Sequence, residues 1–123
     1  MNVRKILAVG CLVLAGSVSQ AAAGSCGYTY CWGAVGIGAD GSFGWSHSHR
    51  SEGLAIQAAQ DGCKGRCSEI KTFYNTCGAI AVSDNGAWGF GWHENQELAS
   101  DMAVDYCQDN GYNCRVQVWA CSK

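Results

Sequence analysis

Three histidines, His47, His49 and His93, are the only imidazoles in the chain. His47 and His49 lie two apart, so on a strand they share one face. Gathered with Glu52 or Glu94, these imidazoles form a donor set that zinc or copper accepts. Nucleophilic catalysis would need a nucleophile, a base and an orienting group in one cleft. Ser46 and Ser48 neighbour the histidines, but adjacent side chains on a strand point to opposite faces. No Gly-x-Ser-x-Gly elbow is present. Asp40 with Glu52, or Asp84 with Glu94, could work as paired carboxylates. Turns account for Asp40 and Asp84, and first helical turns account for Glu52, Glu94 and Glu97. The reading therefore leans away from an enzyme and assigns no catalytic residue, no metal and no cofactor.

Aromatic side chains are in surplus. Trp88, Phe90 and Trp92 share one strand face, separated by Gly89 and Gly91. If helices cover the glycine face, the row is exposed, and Phe43 and Trp45 would extend it. If the row is the core face, the glycines leave a bare flat surface on the other side. The core-face reading is preferred. Large rings dominate binding hot spots, so the candidate binding residues are Trp45, His47, His49, Trp88, Phe90, Trp92, His93 and Glu94.

The elements that would position these groups follow from a duplication. Residues 33–38 alternate Val35 and Ile37 with Ala34 and Gly36, and Asp40-Gly41 supplies a tight turn. Phe43-Gly44-Trp45 begins a return strand. Residues 78–82, the turn Ser83-Asp84-Asn85-Gly86 and residues 87–92 repeat this order. Ser51 can cap a helix to about Cys63 with a mostly alanine face, and Asn95 one to about Cys107 with the apolar stripe Ala99, Met102, Ala103, Tyr106 and Cys107. Residues 67–74 and 115–119 return to an extended pattern. Gly41 matches Gly86 at an offset of 45 and Cys63 matches Cys107 at 44, so the second copy lacks one residue. Each copy reads β-β-α-β, the first over about 32–76 and the second over about 77–121. The expected fold is α+β: one duplicated domain over 24–123, with a pseudo-twofold, six-stranded antiparallel sheet and both helices on one face. The lead-in with Cys26, Tyr28, Tyr30 and Cys31 suggests an edge strand or an extended segment.

Residues 1–23 read as a cleaved signal peptide. Arg4 and Lys5 precede an apolar run over 6–15, and Ala21-Ala22-Ala23 offers a cleavage site. The run is too short to span a bilayer. Removing Arg4 and Lys5 leaves 6 basic against 10 acidic side chains, and the formal charge moves from −2 to −4. This acidity argues against nucleic acid, which rewards basic patches. Setting Cys11 aside, eight of the nine cysteines remain. An even number in an exported chain reads as a disulfide framework. Cys63–Cys67 and Cys107–Cys114 bracket equivalent helix-to-strand loops and would pair locally. Cys77–Cys121 with Cys26–Cys31 would complete the set; Cys31–Cys77 with Cys26–Cys121 is the alternative.

The second copy carries a family resemblance. Gly78-Ala79-Ile80-Ala81-Val82, Asp84-Asn85-Gly86-Ala87-Trp88-Gly89, a Cys-ended helix and Cys114-Arg115-Val116-Gln117-Val118-Trp119 together resemble small secreted bacterial proteins of the domain of unknown function 4189 family. The resemblance implies a secreted α+β domain with internal duplication, and no catalytic residues.

The functional expectation is an exported, non-enzymatic binding protein. Its partner is expected to be another protein, in the manner of an inhibitor or an immunity protein, in the bacterial envelope or the medium. An envelope or carbohydrate-binding module using exposed aromatics is the first alternative. A small metal-binding protein or hydrolase centred on His47, His49 and His93 is the second.

Overall fold

The computed structural model describes residues 24–123. The signal-peptide reading of residues 1–23, with Cys11, lies outside the described residues. The order of elements is β1 (Trp32–Ile37), β2 (Phe43–His49), α1 (Glu52–Gly62), β3 (Glu69–Tyr74), β4 (Thr76–Val82), β5 (Trp88–His93), α2 (Gln96–Gln108) and β6 (Arg115–Ser122). The fold is α+β, and each repeat is β-β-α-β.

Local chemistry sets these elements in the same way in both copies. Gly41 and Gly86 take φ of 89° and 90° at the hairpin turns, a region open to glycine at little cost. Asp40 Oδ1 accepts from the Ser42 amide at 3.1 Å, and Asn85 Oδ1 from the Ala87 amide at 3.4 Å. Ser51 Oγ accepts from the Leu54 amide at 3.3 Å and Asn95 Oδ1 from the Leu98 amide at 3.0 Å. Each cap satisfies one otherwise orphaned helical N–H.

The expected continuous sheet is instead two three-stranded antiparallel sheets, ordered β2-β1-β3 and β5-β4-β6. The helices also do not share a face: α1 packs on the first sheet and α2 on the second. The reason lies in the two faces of the central strands. Ala34 faces Ala55 and Ala59 of α1, and Ala79 and Ala81 face Ala99 and Ala103 of α2. Val35, Ile37 and Phe73 meet Ile80, Val118 and Ala120 in a single cluster between the sheets. Branched residues on the face away from the helix need an apolar cover, and only a second sheet supplies one. Val35 and Ile80 are fully buried there, each worth about 1.5–3 kcal/mol of transfer energy.

The one-residue offset between the copies has a location. Ala34 pairs with Ser46 but Trp32 pairs with His49, so β2 slips by one residue between them. The β4–β5 ladder runs from Cys77↔His93 to Val82↔Trp88 without a slip. The extra residue forms a bulge, with Ser48 at φ 64°. Its amide donates to Ser122 Oγ at 2.9 Å across the repeats.

Four disulfides join Cys26 to Cys31, Cys63 to Cys67, Cys77 to Cys121 and Cys107 to Cys114. Cys77 and Cys121 sit directly opposite each other on β4 and β6. The lead-in over 24–31 is a run of turns and bends, not a strand. Its disulfide and the Asn75 side chain shape it: Asn75 Oδ1 accepts from the Cys31 amide at 2.9 Å, and Asn75 Nδ2 donates to the Thr29 carbonyl at 3.1 Å.

Gly89 tests the close helix approach, because an added Cβ would strike the α2 backbone at Ala103 and Cys107. Gly89→Val is expected to lower the unfolding free energy by about 2–3 kcal/mol through overpacking. Gly53, in α1, has open space around its Cβ position, so Gly53→Ala is expected to raise stability by about 0.5–1 kcal/mol. Urea unfolding of both variants checks the pair.

Candidate functional site

Equivalent strands bring two shallow clefts to equivalent places on the two repeats. The first, of about 440 Å³, is lined by Trp45, His47, Trp119, Ala120 and Cys121, where β2 meets β6. The second, of about 520 Å³, is lined by Phe90 and Trp92 of β5, by Thr72, Phe73 and Tyr74 of β3, and by Trp32, Glu52 and Thr76. Gly33 pairs with Phe73 and Gly78 with Ala120. In that frame Trp45 corresponds to Phe90, His47 to Trp92, Thr72 to Trp119 and Tyr74 to Cys121.

Each cleft carries a stacked pair. Trp45 and His47 stack with centroids 5.8 Å apart and planes within 4°. Phe90 and Trp92 stack at 5.5 Å and 22°. The residues are two apart on an edge strand, so their rings stand side by side on one face. The walls differ. Cys77–Cys121 closes the first cleft, while the corresponding Trp32 and Tyr74 form a ring contact at 5.0 Å in the second.

The row Trp88, Phe90 and Trp92 lies on the β5 face turned away from α2. Gly89 and Gly91 lie under that helix, so the expected bare glycine surface is covered. Trp88 and Phe90 pack half-buried against the shared core, and Trp92 remains 50% exposed. Phe43 and Trp45 do not extend the row, because β2 belongs to the other sheet; Trp45 is 52% exposed.

Among the described residues, no three His, Cys, Asp or Glu side chains are grouped to hold a metal ion. His47 is engaged with Trp45 and its Nδ1 lies 2.9 Å from Ser48 Oγ. His49 pairs opposite Trp32 at the end of the first sheet. His93 Nδ1 accepts from the Asn95 amide at 2.9 Å, which ties it to the start of α2. Glu94 is exposed beside it. Glu52 Oε2 accepts from Thr72 Oγ1 at 2.6 Å, at the opposite end of β2 from Asp40, so that carboxylate pair does not form. The site residues missed from sequence are Trp119, Trp32, Tyr74 and Thr72. Trp32 opens β1 and the other three lie on the third strands of their repeats, and no signal in the sequence joined them to the β2 and β5 rings.

A third cleft, of about 490 Å³, lies where both hairpin turns meet, with Glu69, Asp84, Arg115 and Gln117 in its lining. Gln117 Nε2 donates to the Gly41 carbonyl at 3.2 Å, joining the repeats. Arg66 pairs with Asp40 at 3.5 Å and Arg115 with Asp84 at 3.0 Å. Both aspartates are held below the ordinary carboxyl value. The hydrogen bonds from Ser42 do this for Asp40, and those from Asn113 and then Arg115 do it for Asp84. These groups fasten the two turns.

A family model described as "Domain of unknown function (DUF4189)" matches residues 32–121. No curated protein matches the sequence. A solved structure described as "NMR structure of Rv1813c from Mycobacterium tuberculosis" is similar, with a TM-score of 0.58 and 23% identity, covering 94% of this chain and 99% of that chain. At that identity the likeness shows the fold alone. Among the described residues, no helix is long and apolar enough to cross a membrane.

The Asp84 anchor gives a pH test. A carboxyl depressed in the folded state stabilises it above the unfolded value, about pH 4, and loses that contribution as pH falls through the folded value. Carboxyl-carbon NMR titration is expected to place Asp84 below an unperturbed aspartate. In Asn113→Ala it should rise toward the ordinary value.

Proposed function

We propose that this chain, which belongs to the family described as domain of unknown function DUF4189, acts as a non-enzymatic, exported binding protein whose partner is another protein, bound in the manner of an inhibitor or immunity protein in the bacterial envelope or medium. The observation that carries this reading is the first cleft. Trp45 and Trp119 are 52% and 50% exposed on either side of it, and His47 is stacked on Trp45. Exposed indoles held in fixed positions lose little conformational freedom on binding and contribute strongly to hot spots. Cys77–Cys121 and the Ser48–Ser122 hydrogen bond hold the wall and the β2 edge in place. Four disulfides suit an oxidising compartment and support the exported reading together with the signal-like residues 1–23. The formal charge of −2, or −4 without Arg4 and Lys5, supports neither nucleic acid nor an anionic surface as the partner.

One observation favours a second reading. Two half-exposed indoles facing one shallow groove are also an arrangement on which sugar rings stack, so an envelope glycan is the alternative ligand.

Trp45→Ala and Trp119→Ala remove exposed rings and leave the core untouched. If the reading holds, immobilised protein retains one stoichiometric protein partner from an envelope or culture-medium fraction. Each variant then weakens that complex by about 30-fold, the effect of losing a hot-spot residue worth about 2 kcal/mol. Tryptophan fluorescence quenched by peptidoglycan or polysaccharide fragments, with no protein retained, would transfer the proposal to the glycan reading.

A further inference from the structure

We propose that the second cleft is a binding site for an alkylammonium group, presented either by a lysine-type side chain or by a free quaternary amine. The site is distinct from the Trp45–Trp119 cleft and does not rest on the protein-partner reading.

The two seams differ. β2 runs against β6 along the first seam, while the equivalent β5 and β3 stand further apart along the second. The turn end of the second seam is bridged by a cation on an aromatic face: Lys71 Nζ lies 5.1 Å from the centroid of the Trp88 ring. The other end continues the same aromatic row with Phe90 and Trp92, but among the described residues no basic side chain lines it. There the stacked Phe90–Trp92 pair and the tilted Trp32–Tyr74 pair line the same cleft. Glu52 stands at the rim, its carboxylate steadied by Thr72 Oγ1 at 2.6 Å.

Aromatic faces attract a cation through the ring quadrupole, and several rings around one space form a cage for an alkylated ammonium. A carboxylate at the rim adds charge complementarity that a neutral ligand would not use. The repeat-equivalent first cleft lacks this combination: an imidazole replaces Trp92, a disulfide replaces Trp32 and Tyr74, and no carboxylate lines it. The turn-end cleft has acids, but Arg115 lies among them. Ring faces and an unopposed carboxylate therefore coincide at the second cleft. A sugar would use the same rings but would want several hydrogen-bonding side chains for its hydroxyls. Here Glu52 already engages Thr72.

The test compares choline with 3,3-dimethyl-1-butanol, its neutral isostere, and with a trimethyllysine tripeptide, on the disulfide-intact protein. The readout is the indole N–H resonances of Trp32 and Trp92 in ¹⁵N spectra. A cationic probe is expected to shift both resonances and to bind about tenfold more tightly than the neutral isostere. Glu52→Gln should weaken it about fivefold, on the order expected for a rim charge. Trp92→Ala should abolish the Trp32 shift; Trp92 is half exposed, and an unchanged amide spectrum will report the intact fold. Tight binding of choline points to a free amine as the source, and binding of the tripeptide alone points to a protein side chain. Equal binding of choline and its isostere, no shift with either cation, or shifts with cellobiose in place of the cations would overturn the proposal.

Discussion

The structure depends on how closely the helices can approach the sheets. An α-helix lies against β5 only because Gly89 and Gly91 carry no side chain, and Gly44 plays the same part for α1. The alanines of β1 and β4 continue these two shallow faces. With these alanines and glycines on the helix side, Val35, Ile37, Ile80, Val82, Trp88 and Phe90 are turned the other way, while Trp32, at the start of β1, stays on the helix side with Ala34. The Val35–Ile80 core then forms between the sheets. Each repeat alone would expose that face, which is why a three-stranded unit needs its copy.

The exposed rings follow from the same arrangement. Two twisted three-stranded sheets do not cover each other to their edges. The edge strands β2 and β5 carry rings on the inner face, and the outermost rings are left at the seams. The duplication places a stacked pair at each seam, and divergence has made the seams chemically different. One has an imidazole, a disulfide and the Ser48 bulge that stitches β2 to β6. The other has five aromatic residues and a carboxylate.

Much of this was legible in the sequence. Alternation and the matching glycines identified the repeats, and Ser51 and Asn95 marked the helix starts. The shift from 45 to 44 in the offset was visible, but only the pairing of Trp32 with His49 shows it as a bulge at Ser48. The period of two identified the faces of Trp88, Phe90 and Trp92 without saying which face a helix or a second sheet would cover. One six-stranded sheet and two stacked sheets satisfy the same alternation. The clefts were hidden because their further walls come from third strands whose equivalent residues, Thr72 with Trp119 and Tyr74 with Cys121, share no chemistry. His47, His49 and His93 drew attention by rarity, yet backbone and stacking contacts hold them at separate places.

Both repeats share one core and each cleft is built from strands of both, so the two repeats form one rigid body. Native-state amide exchange measures this directly. The slowest amides of β1 and β4 are expected to exchange with one common free energy, equal to that of global unfolding. Separate exchange free energies for the two repeats, with one opening while the other stays closed, would contradict it.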